Sequence, residues 1–176
     1  MKNTGICLLS ILSVFFICLK PSASAQTSFR QTQADSYTRY ELLEPGSQSF
    51  RIVYDVSATS AGAIYYFNTL RKGSEHTVSA VYDLMSGQEL EWSVVDGAEA
   101  RRNGHERASL DTDYLQVRLA RPVPEGGEAR IRIDKTYKDP ESYFTEGDRI
   151  VFYRTLGIKR NSVVLPPGYE LLACNY

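Results

Sequence analysis

Four acidic residues come first among the side chains that could do chemistry. Glu89 and Glu91 stand two apart, as do Asp111 and Asp113. On an extended strand that spacing puts both members of a pair on one face, and carboxylates roughly 5–9 Å apart can serve as general acid and base in glycoside hydrolysis. The same spacing is also what a solvated sheet edge shows, where charge keeps the edge from pairing with other chains. The two histidines, His76 and His105, have no second ligand at i+2 or i+4, and neither H-E-x-x-H nor C-x-x-C occurs. No metal site and no cofactor is therefore implied. Both histidines read as exposed loop residues. No G-x-S-x-G elbow is present, Cys174 has no basic neighbour to lower its pKa, and Gly126-Gly127 is a hairpin tip rather than a phosphate loop. No catalytic residue is assigned.

Aromatic side chains are the remaining lead. In Tyr65-Tyr66-Phe67, alternation puts Tyr66 on the face opposite Tyr65 and Phe67, so one set must leave the core. Exposed tyrosines on a flat sheet stack on sugar rings or grip a partner chain, and these three are the ligand-binding candidates. Trp92 is in phase with Leu90 and Val94 and is expected in the core. Arg118, Arg130 and Arg132 are expected to form a basic stripe on the wet face of a hairpin.

The elements that position these residues have a period of two. Phe50, Ile52, Tyr54 and Val56 alternate with Ser49, Arg51, Val53 and Asp55, and Ala129, Ile131 and Ile133 alternate with Glu128, Arg130, Arg132 and Asp134. Shorter runs around Val78–Tyr82 and Leu90–Val94 behave alike. Such rows mark half-buried antiparallel strands. Between them lie Gly- or Pro-bearing turns at 44–47, 71–74, 85–88, 103–104, 124–127 and 166–168. The strongest expected hairpin joins 114–121 to 128–137, with Leu115, Val117 and Leu119 opposite Ile131 and Ile133. Residues 96–108 lack an apolar face and read as a loop. The fold class expected is all-β, an antiparallel β-sandwich spanning residues 37–176.

Residues 1–25 read as a secretory signal. Lys2 precedes a 14-residue apolar run from Ile6 to Leu19, and Ala23-Ser24-Ala25 offers a cleavage site. Cleavage leaves 151 residues, and removing Lys2 and Lys20 takes the net charge from −1 to −3. Residues 26–36 are polar and read as a flexible mature N-terminus. No second apolar run approaches the roughly 18 residues of a membrane span. A mildly negative chain argues against nucleic acid, whose binders cluster Lys and Arg. Cys174 alone survives the leader, and no N-x-S/T sequon occurs, which fits a bacterial periplasmic or secreted protein. The last residues read as strand, turn, strand up to Tyr176, and the expectation is a reading frame cut short there.

The order of strands resembles a known family. Tyr37-Thr-Arg-Tyr-Glu-Leu followed by the Phe50–Val56 strand is similar to the opening of the N-terminal β-domain of aminopeptidase-N-like zinc metallopeptidases. Leu119-Ala-Arg-Pro122-Val123, the Gly126-Gly127 turn and the strand Arg130–Tyr137 extend the likeness over residues 37–155. The family's G-x-M-E-N and H-E-x-x-H motifs are absent, so no catalytic residue transfers. The resemblance implies the accessory sandwich ahead of a peptidase-like domain. The function expected is thus an exported, non-catalytic β-sandwich acting as a binding, scaffold or accessory domain, with a protein domain or a polysaccharide as partner. The alternatives are an exported carboxylate-pair hydrolase and a carbohydrate-binding module.

Overall fold

The structure, a computed structural model, describes residues 36–175. The expected signal (1–25) and all but the last residue of the polar segment 26–36 lie outside the described residues. Ten strands follow: β1 (Tyr37–Leu42), β2 (Ser49–Ala58), β3 (Tyr65–Thr69), β4 (Glu75–Asp83), β5 (Trp92–Val95), β6 (Tyr114–Arg118), β7 (Ala129–Lys138), β8 (Tyr143–Glu146), β9 (Arg149–Phe152) and β10 (Asn161–Val164), with one short helix, α1 (Gly97–Arg102), after β5. They form a five-stranded sheet in the order β10-β1-β2-β7-β4, a three-stranded sheet β3-β6-β5, and the two-stranded β8-β9.

Alternation explains how the layers meet. The buried rows of β2, β4 and β7 put Val56, Val81, Ile131 and Ile133 against Leu115 and Val117 of β6, in one apolar cluster shared by the two larger sheets. Farther along the same face, Tyr40, Leu42, Phe50, Ile52 and Tyr137 pack with Tyr143, and Ile150 and Phe152 of the β8-β9 pair lie against them. The opposite face of the three-stranded sheet is covered in turn, since Val95, Tyr114 and Phe67 pack on Ala100 and Ala108 of the α1 region. The architecture is β-rich and sandwich-like. It is not purely antiparallel, because β10 runs parallel to β1, pairing Thr38 with Asn161 through Glu41 with Val164.

The wet face of the five-stranded sheet is a ladder of charge. Arg51 of β2 donates to Glu41 of β1 (3.1 Å) and, through two nitrogens, to Asp134 of β7 (2.8 and 2.5 Å), and Arg132 makes a two-pronged pair with Asp55 (2.7 and 2.8 Å). Opposite charges facing each other across strands are the favourable cross-strand arrangement. The expected basic stripe therefore does not form. Arg132 is neutralised by Asp55, and Arg118 lies in the other sheet, 3.7 Å from Glu91.

Other expectations change for physical reasons. The strands β6 and β7 are not a hairpin, because β6 bonds to β3 and β5, and β7 to β2 and β4. The connection between them crosses from one sheet to the other, so Leu115 and Val117 meet Ile131 and Ile133 face to face rather than side by side. Trp92 is 38 % exposed, not core. Its register partner, Val117, is fully buried, but β5 is an edge strand and the facing sheet does not cover it. The expected loop 96–108 contains α1, where the Asp96 carboxylate caps the Glu99 N–H at 2.7 Å. The expected final strand is absent, since 165–175 has no strand.

Gly97 opens that helix where no side chain fits. A Cβ there would sit 1.8 Å from the Ser109 carbonyl oxygen. Gly97→Ala is expected to destabilise the fold by about 1–3 kcal/mol through displaced backbone, checked by urea unfolding. A midpoint equal to wild type would contradict the close approach.

Candidate functional site

Neither carboxylate pair lies in an enclosed site. Glu89 and Glu91 precede β5 and are exposed, with the Glu91 side chain 84 % accessible. Asp111 and Asp113 lie exposed in the turn before β6. The Ser109 hydroxyl donates to Asp111 and, with Lys72 nearby, holds that carboxyl below its usual range. A general acid needs the opposite shift. His76 lies on β4 with its ring 6.1 Å from Tyr137. His105 is half-buried rather than an exposed tip, stacked on Phe67 at 5.3 Å and edge-on to Tyr114 at 5.1 Å.

Alternation along β3 separates the aromatic triplet as expected. Tyr65 and Phe67 share one face, 6.3 Å apart, and Phe67 packs into the α1 layer. Tyr66 turns inward onto the shared core, and its hydroxyl sits against Tyr54 and the Asn68 side chain. Burial pushes the Tyr66 phenol well above its ordinary value.

That inward face leads to a group the sequence reading did not single out. On β7 the buried row runs Ile131, Ile133, Lys135, Tyr137, so a lysine occupies a core position between the two apolar clusters. Lys135 is 4 % exposed. Its Nζ donates to Asn68 Oδ1 at 2.5 Å and to the Tyr137 hydroxyl at 3.3 Å, and no carboxylate lies within ion-pair distance among the described residues. Removal from water disfavours the ammonium, and the Arg154 charge adds to it, so the pKa is pushed down to about 7. The signal was present in the sequence, since Lys135 continues the very row that defines β7.

Lys135 lines a cavity of about 380 Å3 with Arg71 and Arg154. Arg154 lies with its guanidinium carbon 5.3 Å from both the Phe50 and Tyr137 ring centres. It reaches Asp139 at 3.5 Å, and Arg71 approaches the same oxygen at 3.4 Å while donating to Ser142 Oγ at 3.0 Å. Asp139 is buried and also accepts from the Ser142 hydroxyl (2.7 Å) and backbone N–H (3.2 Å). Three basic side chains thus face the cavity region, with Asp139 between the two arginines and Glu141 beside them in the adjoining pocket. No group of three or more His, Cys, Asp or Glu side chains is placed to hold a metal ion among the described residues.

A second feature lies at the other side of β1. Val163 and Val164 of β10, then Tyr169, Leu171 and Leu172, are exposed, the last two at 69 % and 75 %. Cys174 follows, free and exposed. No helix among the described residues is long and apolar enough to cross a membrane.

No protein-family model matches this chain, and no curated protein matches it. Solved structures do. An M1 zinc metallopeptidase variant from Deinococcus radiodurans, bound to a Tyr-Ser-Ala substrate, is similar over 58% of this chain and 19% of its own, at 15% identity and a TM-score of 0.41. The M1 zinc metallopeptidase from the same organism gives the same coverage and identity at 0.40, and a two-domain M1 zinc metallopeptidase variant bound to L-arginine gives 17% identity at 0.41. The chain spans about a fifth of the length of these structures. The likeness covers part of this chain only, and neither G-x-M-E-N nor H-E-x-x-H occurs in its sequence.

Proposed function

We propose that this chain is an exported β-sandwich, periplasmic or secreted, that acts as a non-catalytic accessory domain docking onto a partner protein domain. The observation that carries the reading is the group of exposed apolar side chains on β10 and the segment after it, Val163, Val164, Tyr169, Leu171 and Leu172, at the outer strand of the five-stranded sheet. Single exposed apolar residues are ordinary, but several on one short segment are the mark of an interaction surface. Among the described residues no strand lies on the outer side of β10 at residues 162–164, an edge that a partner strand or loop can complete. Nothing in the arrangement favours sugar stacking by Tyr65, Tyr66 and Phe67 over this reading, because Tyr66 faces inward and Phe67 is stacked on His105.

The test reads the native gene past codon 176 and compares amide exchange over 163–175 in this chain and in the longer product. The expected result is an open frame and slower exchange in the longer protein by about tenfold or more. A stop codon there, or unchanged exchange, would overturn the docking reading. Export is tested separately by N-terminal sequencing of the product outside the cytoplasm, which is expected to begin at Gln26.

A further inference from the structure

The cavity beside Lys135 has an excess of positive charge and room for a guest. Sequence alternation placed a lysine where β7 otherwise presents Ile131, Ile133 and Tyr137, and two arginines from elsewhere in the chain converge on the same space. An unpaired buried ammonium is costly, and an ordinary core would put an aliphatic residue there. The neighbours that do satisfy Lys135 are the Asn68 amide and the Tyr137 hydroxyl, both neutral. Of the carboxylates near the arginines among the described residues, Asp139 is already shared by Arg71, Arg154 and Ser142, and Glu141 lines the adjoining pocket beside the same arginines rather than the space at Lys135. At about 380 Å3 the space is at the small end of ligand pockets, and its wall mixes these cations with Tyr40, Ile52 and Ile158.

We propose that this cavity is a binding site for a small organic carboxylate, its anionic group held among Lys135, Arg71 and Arg154 and its apolar body against Tyr40, Ile52 and Ile158. Guanidinium groups match a carboxylate in two-pronged geometry, and a desolvated ammonium supplies the strongest point charge in the site. The apolar part of the wall selects a carboxylate with a short hydrocarbon body over inorganic phosphate. This site is independent of the docking segment and would stand if that reading failed.

Binding should follow the charge of Lys135. The groups around it are Arg154 after β9, Arg71 after β3, with Asp139 between β7 and β8 paired to both arginines, Tyr40 of β1, Tyr54 of β2, Tyr66 of β3, and Tyr137 of its own strand. His76 of β4 lies behind Tyr137. Of these, His76 is the group to separate from Lys135 by mutation, while the arginines stay charged and the buried phenols stay neutral near neutrality.

The experiment titrates the full chain with butyrate, succinate and inorganic phosphate, each up to about 50 mM, above the millimolar range where a weak site fills. Binding is read by two-dimensional NMR at about pH 6 and about pH 8. Shifts at residues lining the cavity are expected with butyrate or succinate, with affinity about tenfold weaker at the higher pH as the ammonium is lost. Lys135→Met and Arg71→Gln are each expected to weaken binding at least about tenfold while keeping the wild-type fold by far-UV circular dichroism, whereas His76→Gln keeps the pH response. No shifts with either carboxylate, binding by phosphate alone, or wild-type affinity in Lys135→Met would each overturn the proposal.

Discussion

Raising the pH from about 7.5 to about 9.5 is expected to stabilise this fold against urea by about 2 kcal/mol, and Lys135→Met to abolish that gain. The cause is the buried lysine on β7. Its pKa in the folded chain is about 7, below the 10.5 of an exposed lysine, chiefly because burial disfavours the charge. Between those values the unfolded chain binds a proton that the folded chain does not, so stability rises with pH across that window. Below about pH 7 the folded chain must carry the charge inside, and the full penalty is present. Burial pushes the phenols of Tyr54, Tyr66, Tyr137 and Tyr143 upward, so their opposing effect begins only above about pH 10. Equilibrium urea unfolding of wild type and variant at several pH values makes the check. Parallel profiles for the two proteins would mean that Lys135 is solvated in the folded state.

Asp139→Ala is expected to be the most damaging single substitution in the chain, costing about 3–5 kcal/mol. The carboxylate is 3 % exposed and faces two guanidinium groups at 3.4 and 3.5 Å. Those separations are long for ion pairs, so the attraction itself is modest. The loss comes from what remains behind. The Arg154 side chain, 15 % exposed, would lose the Asp139 charge beside it, and the Ser142 hydroxyl would lose its acceptor while its backbone N–H keeps only the Asp139 carbonyl. The turn that starts β8 is built on the same residue, because Asp139 O accepts from the backbone of Ser142 and Tyr143. Asp139→Asn keeps the shape and two acceptor–donor contacts, and is expected to lose less. Equal loss in the two variants, by urea midpoint, would show that shape and not charge is what matters there.

The strands were legible because their solvent face is charged and their inner face apolar, as in Glu41-Arg51-Asp134 against Phe50-Ile52-Tyr137. Turns were legible because glycines sit at positive φ where the chain reverses, Gly87 and Gly126 among them. Pairing was not. A period of two says which face a residue takes but not which strand lies beside it, so β6 and β7, joined by a Gly-bearing turn, read as a hairpin when they belong to facing sheets. Edge position was equally hidden. Trp92 has the phase of a core residue, and only the strand order leaves its side of the sheet uncovered. The short helix escaped because it has six residues, too few for a stripe, although Asp96 three residues before Glu99 is a capping pattern. The cavity was half legible. Alternation separated Tyr66 from Tyr65 and Phe67 but did not say which set turns inward, and Lys135 was hidden by the habit of reading a charged residue as solvated. Arg71, Arg154 and Asp139 could not be found at all, being assembled by contacts between distant segments.

The parallel contact between β1 and β10 also dictates an order of events when the chain folds. The Tyr37 hydroxyl meets the Ser162 hydroxyl at 2.8 Å across 125 residues of sequence. Closing so long a loop is entropically slow, whereas β1 and β2 are joined by a short turn and can pair at once. During synthesis, β1 therefore spends the time needed to make the whole remainder of the domain with one row of backbone donors and acceptors unsatisfied. That open flank is a template for a second nascent chain, and the window of greatest aggregation risk ends only when Val164 has emerged and docked.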